Sequence, residues 1–421
     1  MVTAGVYMVC LLSPMFEYAP VAKHIVVVIG ALTALFAATV GLVQNDIKRV
    51  IAYSTCSQLG YMFMAAGVGA YQASMFHLFT HAFFKALLFL GAGSVIHAMA
   101  HEQDMRRYGN LAKYLPVTFA VMVIGTIAIT GLGIPGVDLG FAGFYSKDSI
   151  IHAGYEAGLA GDPLGYFAWV IGVFVAGLTA FYSWRVAFFT FNGHARWTSE
   201  DLEHHWHNRD HADEPGHADD PASHAQDETH SEPDHGEHAH LPHESPWTMR
   251  LPLILLSIGA IAAGFAFTEK FVGADQAAFW RGAIFTAANN HVLAGREPPE
   301  WIVLAPLVVS ILGLLFAGWM YIVREGIGAQ WAAQRGPVYL FFYNKWFFDE
   351  LYDATFVKGA KLLGDLFWKG GDQKLIDGLG PDGISAVSMQ VGKGASRLQS
   401  GFLYHYAFVM LLGVAAILSY A

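Results

Sequence analysis

The chain has 421 residues, 54% of them hydrophobic and 14% charged, and 24 Lys and Arg against 34 Asp and Glu give a net charge of −10. Globular domains carry about 25% charged residues, so a soluble body of this size would lack polar surface, and the expected class is an all-α polytopic membrane protein embedded in a lipid bilayer. The acidic balance argues against nucleic acid as a partner, and two cysteines, Cys10 and Cys56, exclude a disulfide framework or a thiolate metal cluster.

A bilayer-spanning helix needs about 20 apolar residues. The opening MVTAGVYMVCLL is too short for one and has neither a charged leader region nor a cleavage motif. Residues 1–23 therefore read as the remnant of a transmembrane helix followed by an outer loop, which predicts an N-terminally truncated chain. Apolar runs follow at 24–43, 50–69, 73–99, 116–133, 140–158 and 165–191. The pair 116–133 and 140–158 flanks GLGIPGVDLG, and with Pro135 in that stretch they read as one span broken near 133–140. Lys48, Arg49, Arg106, Arg107 and Lys113 collect in alternate loops, which are expected on the cytoplasmic side. Treating 116–158 as one broken span keeps that alternation.

Residues 192–248 hold twelve His, fourteen acidic residues, two Arg and no Lys. Such a segment cannot bury enough apolar area to fold alone and is expected to be a disordered cytoplasmic loop. A divalent-metal tract is one reading of its histidines; their irregular spacing favours a solvated insertion with no metal site. Its net charge of −12 means that the remaining body is nearly neutral. Two further spans are expected within 249–323, and 324–400 mixes charged and apolar residues at three- and four-residue spacing, as an amphipathic helix does. Trp346, Phe347, Tyr352, Phe356, Leu362 and Leu363 mark its apolar side, with Lys358, Lys361 and Asp365 nearer the interface. It reads either as a membrane-surface strut reaching neighbouring subunits or as a helix lying on lipid beside its own bundle. Residues 401–421 form a terminal anchor.

Ionisable residues inside a span are expensive and by default mark an ion or proton path. Lys85 lies more than ten residues from either end of its run, too deep to reach the interface easily. His77, His81 and Lys85 recur at every fourth position, so all three share one helix face. Two imidazoles and an amine in line make a proton relay; the alternative is that the histidines hydrogen-bond a neighbouring helix structurally. Lys147 and Asp148 lie beside the break, where non-helical backbone is tolerated only if it lines protein or water; they are either a hydrated charged pair or an interfacial one. Asp46, in QNDIKRV, is either a loop salt bridge or part of a proton entry.

The segments DIKRVIAYSTCSQLGYMF, HLFTHAFFKALLFLGAGSVIHA, GFAGFYSKD and FFDELYDATFVKG resemble the subunit L family of the proton-pumping NADH:quinone oxidoreductase, respiratory complex I, which includes mitochondrial NADH dehydrogenase chain 5. The resemblance implies an antiporter-like fold at 24–191, a complete second inverted repeat with the first mostly missing, and a lateral helix within 324–400 that clamps neighbouring antiporter-like subunits. It implies a central lysine at Lys85 served by His77 and His81, and a terminal charged site at Lys147 and Asp148; Asp46 matches the acidic residue of the DIKR loop. It also implies no redox centre in this chain: NADH, FMN, iron–sulfur clusters and quinone would be bound by other subunits, in a bacterial inner membrane. The alternative is the large subunit of a multisubunit sodium/proton antiporter. A metal transporter, the third class, requires carboxylates near the histidine pair, and 73–99 has none.

Overall fold

The computed structural model describes residues 2–135, 137, 139–198, 241–288, 290, 292 and 298–421, so most of the His-rich segment read above as a disordered loop, residues 199–240, lies outside the described residues. The chain divides into two compact units, Met1–Trp346 and Phe347–Ala421.

The first unit is a helix bundle. Two short helices, α1 (Ala4–Leu11) and α2 (Ser13–Phe16), lead into α3 (Pro20–Val43), α4 (Ile47–Gly67) and α5 (Tyr71–Ala98). The helix α6 (Pro116–Thr130) is followed by a two-stranded turn, α7 (Ala142–Leu159) and α8 (Pro163–Phe191). Proline stands in the first turn of α3, α6 and α8, where its missing N–H costs nothing. Asp46 and Asp162 cap α4 and α8 by accepting from Arg49 N and Leu164 N. The Asp46 cap sets the start of α4 three residues ahead of the apolar run at 50–69.

After the insertion come α9 (Trp247–Phe271), α10 (Gln276–Trp280) and α11 (Glu300–Gly318). Six helical segments among the described residues are long and apolar enough to cross a membrane: Pro20–Val43, Tyr71–Ala98, Pro163–Phe191, Trp247–Phe271, Glu300–Val323 and Leu403–Tyr420. The helix α4 falls outside that set because Ser54, Ser57 and Gln58 interrupt its apolar run, and α6 because it is short.

Small residues let the central helices approach closely, as membrane bundles require. On α3, Gly30, Ala34 and Ala38 are buried against α4, and a Cβ added to Gly60 would come within 2.5 Å of Ala34 N. Ser57 Oγ donates to Ala34 O at 2.9 Å across the same seam.

The expected break is a distinct piece of structure. Gly131, at φ 72°, ends α6 three residues before the apolar run does, since a left-handed residue closes a helix. Strands β1 (Gly133–Ile134) and β2 (Leu139–Gly140) then pair antiparallel, Gly133 opposite Gly140, with Pro135 in their turn.

The second unit runs through helical turns from 348 to 379, with wide π-type turns at Asp353–Val357 and Leu366–Asp377, then Pro381–Leu398 and Leu403–Tyr420. The rings of Phe348, Tyr352 and Phe356 meet in succession at four-residue spacing, the first pair stacked and the second tilted. Trp346, expected on the apolar side of this helix, belongs to the first unit: its indole donates to Thr39 Oγ1 at 3.1 Å and meets Phe36 edge-on. Its backbone is left-handed, φ 57°, so the helix begins only beyond it.

Candidate functional site

Lys85 occupies the middle of α5, 5% exposed, with its ammonium donating to Ile51 O of α4 at 3.2 Å. Beside it is a cavity of about 20 Å³ lined by Ile51, Ser54, Thr126, Tyr182 and Ser183, room for one water among several polar groups. Ser54 and Tyr182 share a hydrogen bond of 2.9 Å, and Tyr182 reaches Thr179 at 3.3 Å. No carboxylate pairs with Lys85 among the described residues.

One helical turn away, His81 is buried and its Nε2 has no hydrogen-bond partner among the described residues. The next turn holds His77, 1% exposed, with its ring 6.0 Å from that of His81. His77 joins three helices: Nε2 lies 3.0 Å from Gln58 Oε1 on α4, and Nδ1 lies 3.0 Å from Ser146 Oγ on α7. With the amide oxygen accepting, the neutral ring carries its proton on Nε2, and Nδ1 accepts from Ser146. Thr80 hydrogen-bonds the same serine at 2.6 Å.

Ser146 adjoins Lys147, which is 1% exposed. The Lys147 ammonium lies 5.4 Å from the centre of the Tyr61 ring and donates to Ile129 O at 3.4 Å. That carbonyl belongs to the last turn of α6, where no helical N–H remains to satisfy it. The neighbouring Thr130 O accepts from Ser310 Oγ of α11 at 3.2 Å. The break between α6 and α7 thus leaves carbonyls without helical N–H partners, and buried donors fill them. Asp148 is buried beside Lys147.

Asp46 stands apart from this line. It caps α4 and lies 3.8 Å from Arg49, and its backbone bridges to Asp104. Asp104 holds Arg106 through a bidentate contact; burial alone would raise the Asp104 carboxyl, but the Arg106 bonds outweigh it and hold the carboxyl below its ordinary range. The loop before α4 is fixed from within by Arg185 of α8, 5% exposed, which donates to Gln44 O at 2.5 Å and Asn45 Oδ1 at 2.9 Å.

The structure therefore gathers His77, His81 and Lys85 of α5 and Lys147 and Asp148 of α7 in one buried region against α4, and leaves Asp46 at its edge. Gln58, Ser146, Tyr61, Tyr182 and Arg185 were not anticipated from sequence. One signal was available: Ser54, Ser57, Gln58 and Tyr61 recur at i, i+3, i+4 and i+7, a polar stripe on an otherwise apolar helix. Among the described residues no three His, Cys, Asp or Glu side chains converge as metal ligands.

A predominantly helical bundle with a break between α6 and α7, one buried lysine in line with two histidines and a second buried lysine on the neighbouring helix, has the make-up of an antiporter-like membrane unit. A family model described as "NADH:quinone oxidoreductase/Mrp antiporter, TM" matches residues 1–179. NADH-quinone oxidoreductase subunit L of Rhodobacter capsulatus is 44% identical over 99% of this chain and 61% of its own length. The subunit L of Neisseria meningitidis serogroup A is 40% identical over 99% and 59%. NADH-ubiquinone oxidoreductase chain 5 of Marchantia polymorpha is 39% identical over 100% and 56%. A solved Mrp complex from Dietzia sp. DQ12-45-1b matches 68% of this chain and 49% of its own, with TM-score 0.44 and 21% identity. Over its whole length the chain is homologous to the subunit L and chain 5 proteins of NADH:quinone oxidoreductases, and it spans about six-tenths of the length of the curated relatives it matches.

Proposed function

We propose that this chain serves as a membrane-arm, proton-translocating part of an NADH:quinone oxidoreductase, moving protons through Lys85, His81 and His77 toward Lys147 and Asp148 while electron transfer proceeds in other subunits. The observation that carries this reading is the placement of Lys85: an amine buried at mid-helix, donating to a backbone carbonyl, two turns from a histidine that reaches both neighbouring helices. A proton held there has a titratable neighbour one turn away in His81, whose Nε2 has no hydrogen-bond partner among the described residues. Asp46 stands at the loop end of α4, whose second turn supplies the carbonyl facing Lys85, and is assigned to the entry side.

On this reading NADH, FMN, iron–sulfur clusters and quinone bind elsewhere in the complex. The basic loops and the His-rich insertion face the cytoplasm of a bacterial inner membrane. Residues 24–191 act as the second antiporter-like repeat, and the helical stretch 348–398 runs laterally onto neighbouring antiporter-like subunits. The exposure of Phe356, Leu362, Phe367 and Trp368 within their unit supports that last assignment, since uncovered apolar faces of this size mark contact surfaces.

Replacing Lys85 by alanine in the assembled complex is expected to lower protons moved per NADH oxidised by about tenfold or more, measured by dye quenching in proteoliposomes with native-gel control of assembly. Unchanged pumping rejects the proposal. A sodium-driven, NADH-independent exchange in the same vesicles would favour the multisubunit antiporter instead, an assignment that the double name of the family model keeps in view.

A further inference from the structure

We propose that α7 carries the proton outlet of this unit, running from Asp148 through His152 and Glu156 to Asp162 and His24. The proposal rests on the proton-translocation reading above and extends it to residues on the far side of Lys147.

Asp148, His152 and Glu156 recur at every fourth position of one 18-residue helix, so they form a single stripe with neighbouring Cβ atoms about 6 Å apart. Asp148 and Glu156 are each 8% exposed. The Nε2 of His152 is buried and has no hydrogen-bond partner among the described residues. Three ionisable groups on one stripe of a membrane-embedded helix are costly, and their alignment points to transport rather than packing.

Both ends of the stripe lead somewhere. At its start stand Lys147 and the Ile129 carbonyl to which it donates. At its end α7 stops at Leu159, and the following loop holds Asp162, which caps α8 and lies 3.4 Å from His24 Nε2. Asp162 and His24 are 23% and 43% exposed, so the line ends at groups that reach the surface. His24 lies in the first turns of α3 and Asp162 at the start of α8, whereas the other end of α3 leads to Lys48 and Arg49 in the first turn of α4, so the stripe opens on the opposite face. A neutral imidazole suits the middle position. It takes a proton on one ring nitrogen, gives up the proton of the other, and is neutral again afterwards. The open Nε2 of His152 is the position such an exchange needs.

The test uses the intact complex in proteoliposomes, reading NADH oxidation with a short-chain quinone and acidification with a trapped pH dye. His152→Gln and Glu156→Gln are expected to lower protons moved per NADH by about tenfold, and His152→Glu, which restores a titratable group, to recover most of the loss. Normal pumping in both Gln variants overturns the outlet, and so does equal loss in His152→Gln and His152→Glu, which would assign His152 to packing. Lys147→Ala is the control for the underlying reading. If it pumps normally, that reading fails; if it is silent while the α7 variants pump, only the outlet fails.

Discussion

Gln58 gives His77 its hydrogen-bond partner on α4. Gln58→Leu leaves a buried imidazole N–H without an acceptor, which costs about 1–3 kcal/mol. The purified complex carrying it is expected to unfold at lower temperature and to pump less, as calorimetry and dye quenching would measure. The contrast between the two sides of this bond explains what could be read from the chain alone. His77, His81 and Lys85 were legible because helical periodicity is a local property of sequence, four residues per step. That Gln58 and Ser146 face the same ring was not, because the meeting of three helices is fixed by packing between segments 19 and 69 residues apart. The polar stripe on α4 announced that one face met something other than lipid, without saying what.

At the scale of elements, the broken span depends on how closely α7 approaches α6. Gly143 lies so near Ala128 O that a side chain there must displace one helix. Gly143→Val is expected to cost about 1–3 kcal/mol through overpacking and to draw Lys147 away from the Ile129 carbonyl. A lower unfolding temperature together with weakened pumping checks it; unchanged values would mean that the contact is slack. The break itself was legible, since a run of glycines around a proline cannot continue a helix. Its content was not: the left-handed Gly131, the short β1–β2 turn and the choice of which carbonyls stay bare depend on the chain folding back onto α7. Likewise the amphipathic pattern gave the second unit's helices, but the contact of Trp346 with Thr39 joins residues 307 apart and leaves no periodic trace.

Over the whole molecule, the His-rich insertion is tied to the bundle at both roots. Arg196 donates to Arg106 O and Phe189 O, Trp197 donates to Gly109 O, and Glu244 caps α6 by accepting from Val117 N and Thr118 N. Removing 200–240 while keeping these roots is expected to leave proton transport intact, whereas extending the deletion through Glu244 uncaps α6 and costs about 1 kcal/mol; thermal unfolding of the two deletions side by side measures the difference. A broader consequence follows from what holds the two buried lysines. Both ammonium groups rest on main-chain oxygens, Ile51 O and Ile129 O. Every amino acid supplies that oxygen, so the identity of residues 51 and 129 can drift without altering it, and side-chain scanning is blind to it. Half of this site is written in the helix geometry alone, reachable by exchanging a single amide for an ester but by no ordinary codon change at those two positions.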